Sequence, residues 1–148
     1  MIDIGGLIKP ISSRGFRYYI TFLDAATGYL EVILLKDRSN TSIAIESFIN
    51  KAENLSSYSL KRLHCDNEFK TRDIEDLALK KGFEITTSAP YTPEQKGAGE
   101  RINRTLFNKV RALLIISNLA LKYWNKVLLS AVYLYNSCLL YTSDAADE

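Results

Sequence analysis

Two runs rich in aromatic and β-branched residues, Arg17–Leu23 (RYYITFL) and Tyr29–Leu35 (YLEVILL), are separated only by Asp24–Gly28. Such runs read as strands, and a connection this short joins antiparallel neighbours, because a parallel crossover needs a dozen or more residues. A shorter apolar run, Met1–Leu7, precedes them around Asp3, with turn material at Lys9–Gly15 (KPISSRG) between. Three strands joined by short turns predict an antiparallel meander.

After Leu35 the apolar period changes from two to that of a helix. Asp37, Ser39, Asn40 and Thr41 are all N-cap types, and Ala44, Ile45, Phe48, Ile49, Ala52 and Leu55 then recur on one helical face. Ser56–Ser59 reads as a loop and Leu60–Cys65 as a short strand ending at Asp66. A helix over about Thr71–Lys81 turns Ile74, Leu77 and Ala78 inward, with Gly82 placed to close it. Phe83–Thr87 is a fifth strand. A last helix over roughly Leu121–Tyr135 offers Tyr123, Trp124, Val127, Leu128 and Ala131 to a core. The pattern predicts an α/β fold: a mixed five-stranded sheet, the three-stranded meander plus two further strands, flanked by helices.

Between the fifth strand and the last helix lies Ser88–Thr105 (SAPYTPEQKGAGERINRT). Its prolines and glycines predict a loop, giving way to an amphipathic helix from about Glu100. At about 100° per residue, Ile102, Leu106, Phe107, Val110, Leu113 and Leu114 share one arc. Arg101, Arg104, Asn108 and Arg111 share another, with Glu100 on the same side.

Charge and residue inventory narrow the chemistry. The formal net charge is +2, but residues 88–137 hold seven Lys and Arg against two Glu, which favours a phosphate-bearing partner. A single histidine, His64, excludes a His/Cys zinc cluster and leaves a Ser-His-Asp triad only one possible base. Cys65 and Cys138 carry no spacing motif and suggest a reducing compartment. No apolar run approaches a membrane span, and the N-terminus lacks a signal-peptide pattern. Any hydrolytic or transfer chemistry must rest on carboxylates.

Asp3 lies within a strand, Asp66 follows one and Glu100 starts a helix, so an α/β sheet can bring the three to one edge. Three such carboxylates make a hard-oxygen site suited to Mg²⁺ or Mn²⁺, and two ions can hold the attacking and leaving oxygens of a phosphodiester. Each residue also has an ordinary structural reading: Asp3 as a near-terminal surface charge, Asp66 as a turn former, Glu100 as an acid complementing the helix dipole. His64 reads as structural, Asp24 as a turn residue, and Tyr18, Tyr19, Tyr29 and Phe22 as core or sheet pairs.

Several longer motifs shift that balance. Asp3-Ile4 with Gly6, Arg17 through Asp24, Gly28-Tyr29-Leu30-Glu31, His64-Cys65-Asp66-Asn67-Glu68-Phe69, and Pro90-Tyr91-Thr92-Pro93-Glu94-Gln95 leading to Gly99-Glu100-Arg101-Ile102-Asn103-Arg104-Thr105 occur in this order. Over about Ile2–Asn136 the chain resembles the catalytic core of LTR-retrotransposon integrases of the copia type, in the retroviral integrase superfamily. The resemblance implies an RNase H-like fold and a metal-holding catalytic triad at Asp3, Asp66 and Glu100, with two Mg²⁺ or Mn²⁺ ions. It also implies DNA positioning by Gln95, Lys96, Arg101, Asn103 and Arg104. Asp66 and Glu100 have 33 residues between them, two fewer than the family pattern, because Asp66-Asn67-Glu68-Phe69 is a shortened form of a longer Asp-Asn-Gly-Gly-Glu-Phe. Lys96 and the Ala98-Gly99 pair also depart from that pattern, and a second glycine before Glu100 predicts a looser loop.

The activity implied is 3′-end processing and strand transfer of element DNA into target DNA, by in-line attack without a covalent enzyme intermediate. The implied partners are element ends and target DNA, with a homo-oligomer in the full-length protein, and the implied site of action is the nucleus, or otherwise a cytoplasmic particle. Residues 1–137 read as a catalytic-core fragment without the family's N-terminal zinc module and C-terminal region. Residues 138–148 (CLLYTSDAADE) resemble a translated sequencing adapter and read as a non-native tail. The alternative reading is a decayed, non-catalytic nucleic-acid-binding or assembly module.

Overall fold

The computed structural model describes residues 1–87 and 93–144, with side chains described for 1–87 and 99–139. Five strands, β1 (Ile2–Gly5), β2 (Tyr18–Leu23), β3 (Leu30–Leu35), β4 (Arg62–Cys65) and β5 (Glu84–Thr87), combine with four helices. These are α1 (Thr41–Leu55), α2 (Arg72–Lys81), α3 (Pro93–Ser117) and α4 (Trp124–Asp144). The meander forms as read: β1, β2 and β3 pair antiparallel in that order, with Asp3 opposite Thr21 and Thr21 opposite Val32. β4 and β5 pair in parallel, His64 opposite Thr86, and β4 lies alongside β1 so that the two sets adjoin.

Alternation along β2 divides the interior. Ile20 and Phe22 point to one side, into a core shared with Ile2, Ile45, Ile49, Leu63, Cys65, Phe69, Ile74 and Leu77 beneath α1 and α2. Tyr19 points to the other side, into a core with Leu30, Val32, Leu106, Val110, Leu114, Trp124 and Leu128 beneath α3 and α4. The result is helix pair, sheet, helix pair, because a strand buried on both faces needs apolar cover on each.

Local signals explain most element ends. Asp37 accepts from Ser39 N at 2.9 Å and starts a short 3-10 turn that leads into α1. Gly82 closes α2 with φ of 75°, its N–H and that of Phe83 both reaching Ala78 O, as a glycine-capped terminus does. Asp24 accepts from Ala26 N, Thr27 N and the Thr27 hydroxyl, so it is the turn residue its position suggests. These bonds hold its carboxyl below the usual range. Asn136 of α4 brackets the start of β3, its Oδ1 accepting from Leu30 N at 3.0 Å and its Nδ2 donating to Leu30 O at 2.8 Å.

Four expectations are corrected. α3 begins at Pro93, not near Glu100, so the stretch holding Gly97 and Gly99 is helical. Proline suits a first helical position because its missing N–H would have no intrahelical partner there. Leu55, expected inward, is the last residue of α1 and 79% exposed; Tyr29, expected as a core or sheet-pairing residue, precedes β3 and is 52% exposed. α4 runs past Tyr135 into the segment read as a tail. Both cysteines are free, Cys65 buried and Cys138 exposed.

Candidate active site

Asp3 lies in β1, the strand that contacts both β4 and α3. Its neighbours Ile2 and Ile4 belong to the α1/α2 core, so the strand's alternation turns Asp3 to the α3 side together with Gly5. The space there depends on two glycines. A Cβ on Gly5 would lie 1.9 Å from the Tyr19 ring, which crosses above it. A Cβ on Gly99 would lie 3.7 Å from Asp3 Oδ2 and 3.3 Å from the Met1 methyl. The second turn of α3 is thus laid directly against the carboxylate.

Asp3 is held at three points. Its Oδ1 accepts from Ile4 N at 2.9 Å, its Oδ2 accepts from Asn103 Nδ2 at 2.5 Å, and its main-chain oxygen accepts from the buried Thr21 hydroxyl at 3.2 Å. Asn103 Oδ1 is buried without a hydrogen-bond partner among the described residues. Burial pushes the Asp3 carboxyl above its ordinary range, and the carboxylates of Asp66 and Glu68 add to that, against the opposing bonds from Ile4 and Asn103. Tyr19 is raised by burial and by Asp3. Burial thus favours the neutral form of Asp3, and a nearby cation would favour the charged one.

Asp66 ends β4 with extended backbone angles and precedes the short 3-10 turn Asn67–Phe69. Its neighbour His64 shares a 3.1 Å hydrogen bond between Nδ1 and the Thr86 hydroxyl, as its structural reading expects. Asp66 thus ends the strand that lies alongside β1, near enough to Asp3 to act on its carboxyl. Glu100 lies on the exposed side of α3, one residue after Gly99. Among the described residues, no group of three His, Cys, Asp or Glu is close enough to hold a metal ion. The two aspartates have the hard-oxygen chemistry a divalent cation requires, and the cation would relieve the crowding that raises Asp3. Glu100 follows Gly99, the residue that lies against Asp3, and is itself exposed.

The residues expected on DNA divide. Arg101 and Arg104 are exposed on α3, whereas Asn103 is turned inward to Asp3; the side chains of Gln95 and Lys96, and all of Ser88–Thr92, lie outside the described residues. Two further residues belong to the site. Glu68 lies near enough to Asp3 to raise it, and Arg38 holds Glu68 at 2.7 Å. A cavity of about 420 Å³ opens beside this pair, with Ile4, Phe69 and Ile74 among its walls. Glu68 stands within the Asp66-Asn67-Glu68-Phe69 motif and could have been suspected from it. Arg38 is far away in sequence and gave no signal.

No protein-family model matches the chain. The chain is 32% identical over 136 residues, 90% of its length, to the retrovirus-related Pol polyprotein from transposon TNT 1-94 of Nicotiana tabacum. It is 30% identical over 126 residues, 85% of its length, to that from transposon RE2 of Arabidopsis thaliana. It spans about a tenth of these relatives, 10% and 9% respectively. Among solved structures, the simian T-cell lymphotropic virus intasome matches with a TM-score of 0.67 and 19% identity, over 89% of this chain and 45% of that one. The catalytic core domain of BIV integrase matches with a TM-score of 0.62 and 21% identity, over 88% of this chain and 78% of that one. The sequence likeness places the chain in a segment of Pol, and the structural likeness gives that segment its fold. The chain is homologous to a stretch of the plant LTR-retrotransposon Pol polyproteins and shares the fold of retroviral integrase catalytic cores.

Proposed function

We propose that this core is a polynucleotidyl transferase of the DDE type, acting within a longer Pol product to process the 3′ ends of element DNA and join them to target DNA. The observation that supports the reading is Asp3, held in β1 beside β4, where α3 presses Gly99 and Asn103 against it. Asp3, Asp66 and Glu100 would hold Mg²⁺ or Mn²⁺, two ions in all, which when bound supply charge neutralisation at a phosphodiester and activation of its nucleophile. The protein's own part is positioning. The Ile4 amide and the Asn103 side chain each take one lone pair of Asp3 and fix the plane of its carboxylate. Glu100 is on the solvent side of α3 with Arg101 and Arg104, where a polynucleotide would lie. Gln95, Lys96, Arg101 and Arg104 would hold the DNA backbone, which sets register and carries little sequence information.

In the reaction, water attacks phosphorus near the element end, one P–O bond forming as the bond to the 3′ oxygen breaks. The freed 3′-hydroxyl then attacks a target phosphodiester in the same way. As part of the longer protein the core would act as a homo-oligomer in the nucleus. The direct test is a branched DNA that mimics the joined product, incubated with the chain and Mn²⁺ or Mg²⁺. The expected result is metal-dependent resolution of the branch, lowered about 10²-fold or more in Glu100→Gln and Asp66→Asn. A chain that binds this DNA but never cuts or joins it, alone or within a longer Pol segment, refutes the catalytic reading.

One observation favours a second reading, a non-catalytic DNA-binding or assembly module. Glu100 is exposed and no three-ligand group forms among the described residues. Under that reading Glu100→Gln changes nothing, and salt-sensitive DNA affinity is all that is measured.

A further inference from the structure

Tyr19 is buried beneath α3 and α4, yet its hydroxyl has no partner in the fold. The residue is 4% exposed, and its ring lies 5.2 Å, centroid to centroid, from that of Phe107 on α3. A buried tyrosine usually gives its O–H a hydrogen-bond partner. Here the hydroxyl bonds to none of the described residues. The polar side-chain atoms sealed without a partner, among the described residues, are Asn103 Oδ1 and Asn125 Oδ1, so the Tyr19 oxygen is open at the edge of the core.

Strand pairing decides which way that oxygen faces. Tyr19 of β2 stands opposite Gly5 of β1, and Gly5 is two residues from Asp3 on the same face of the strand. The phenol folds across β1: a Cβ on Gly5 would lie 1.9 Å from Tyr19 Cζ and 2.1 Å from its Oη. The hydroxyl thus occupies the space of the side chain that Gly5 lacks. Same-face positions on a strand are about 6.5 Å apart, so it stands at roughly that distance from the Asp3 Cβ, a gap that one phosphate group can enter. The other donors around Asp3 are already committed to it: Ile4 N, Asn103 Nδ2 and the Thr21 hydroxyl. Burial and the Asp3 charge keep the Tyr19 hydroxyl protonated well above neutral pH, so its O–H is always available to donate.

We propose that the Tyr19 hydroxyl, carried over Gly5 to the Asp3 face, donates a hydrogen bond to a non-bridging oxygen of the phosphodiester that reacts there. The proposal deepens the function given above and rests on a phosphodiester being held at Asp3. Tyr19 keeps its proton throughout; the bond strengthens as negative charge gathers on the phosphoryl oxygens during in-line attack. A donor fixed in place before the reaction is effective because it needs no reorganisation when that charge develops. The ring meets this condition, since it is held between β1 and Phe107. The absence of a side chain at Gly5 is part of the device, because any Cβ there would displace the phenol.

The test is Tyr19→Phe in the full chain, which removes one oxygen and keeps the ring. With no partner lost inside the fold, the variant should melt at the wild-type temperature or above it. Its branch resolution with Mg²⁺ should be slower by about 10- to 100-fold, the loss expected for one hydrogen bond to a charged group. Tyr18→Phe removes a hydroxyl from the other face of β2, beside the α1 and α2 core, and should leave the rate unchanged. A second readout needs no catalysis. In a Glu100→Gln background with Mg²⁺, affinity is measured for fluorescein-labelled branched DNA carrying either the native junction phosphate or each of its two methylphosphonate diastereomers. Tyr19→Phe should weaken binding of the native branch several-fold and make no further difference to one diastereomer, a non-additivity that marks direct contact. Additive losses with both diastereomers overturn the proposal, as does a lowered melting temperature, which would mean that the hydroxyl is bonded within the fold. A wild-type chain that resolves branches no faster than Tyr19→Phe overturns it too and leaves the catalytic reading intact. A wild-type chain without branch resolution that still shows the non-additive binding supports the contact while removing the catalytic function.

Discussion

Asp3 has core residues on both sides of it in β1 and a helix across its face, so its carboxylate is partly buried whatever it does chemically. Burial first, then Asp66 and Glu68, raise its proton affinity. A carboxyl whose folded pKa is raised binds its proton more tightly in the native state than in the unfolded one. Its ionisation therefore weakens the fold as pH climbs through the ordinary carboxylate value, about 4, toward the raised one. Asp3→Asn should accordingly melt at a higher temperature than the wild type at pH 7, with the gap closing as the pH falls to about 4. A calorimetric melting series in metal-free buffer decides it; a gap that persists unchanged at low pH would mean that the charge is not its cause. The same substitution should eliminate branch resolution, so stability and activity move in opposite directions at this residue.

At the scale of elements, the two glycines beside Asp3 behave differently for a steric reason. Gly5 lies beneath the buried Tyr19 ring, and a methyl group 1.9 Å from it cannot be accommodated without moving β1 or the ring. Gly5→Ala should cost about 1–3 kcal/mol or more in a urea melt. Gly99 meets the tip of Met1, a flexible group that can give by a few tenths of an ångström, and it stands in a helix interior. Gly99→Ala should therefore stabilise the fold by up to about 1 kcal/mol through helix propensity. A loss of stability there would show that the Met1 side chain cannot yield.

These elements also show how legible the sequence was. The meander, the α1 and α2 faces and the Gly82 terminus could be read because short-range patterns decide them: alternation, turn residues and a left-handed cap. The start of α3 departs from expectation because Pro93, Gly97 and Gly99 suggest a loop locally, whereas the helix packs on α4 and β1, with Leu106, Val110 and Leu114 buried, and extends back to Pro93. Tertiary packing outweighs a glycine's preference of about 1 kcal/mol.

Over the whole molecule, the ion pairs among the described residues lie on the α1, α2 and β4 side, while Lys109, Lys122 and Lys126, on or beside α3 and α4, rest on aromatic rings. The tail opposes that field. Removing residues 138–148 takes away Asp144, Asp147 and Glu148 and shifts the formal net charge from +2 to +5. The truncated chain keeps Asn136, which clamps Leu30, so it should melt close to the full chain and bind duplex DNA more tightly, most visibly at low salt. Fluorescence anisotropy at two salt concentrations checks this. A collapse of the melting temperature would instead mean that the last turns of α4 belong to the fold, as the approach of Leu139 to Gly28 already hints at on a small scale.

By itself, the sequence determined the strands and most helices, the reliance on carboxylates, and the resemblance to integrase cores, because each of these is written in local patterns or in contiguous motifs. It could name Asp3, Asp66 and Glu100 as candidates but not their spacing in space. Only the tertiary structure decided that Asp66 and Glu68 crowd Asp3, that Asn103 serves Asp3 instead of facing outward, and that Arg38 holds Glu68. Contacts such as Asn103 with Asp3 join residues a hundred positions apart. Their energy depends on how β1, β4 and α3 pack together, and no stretch of chain short enough to show a pattern contains all three.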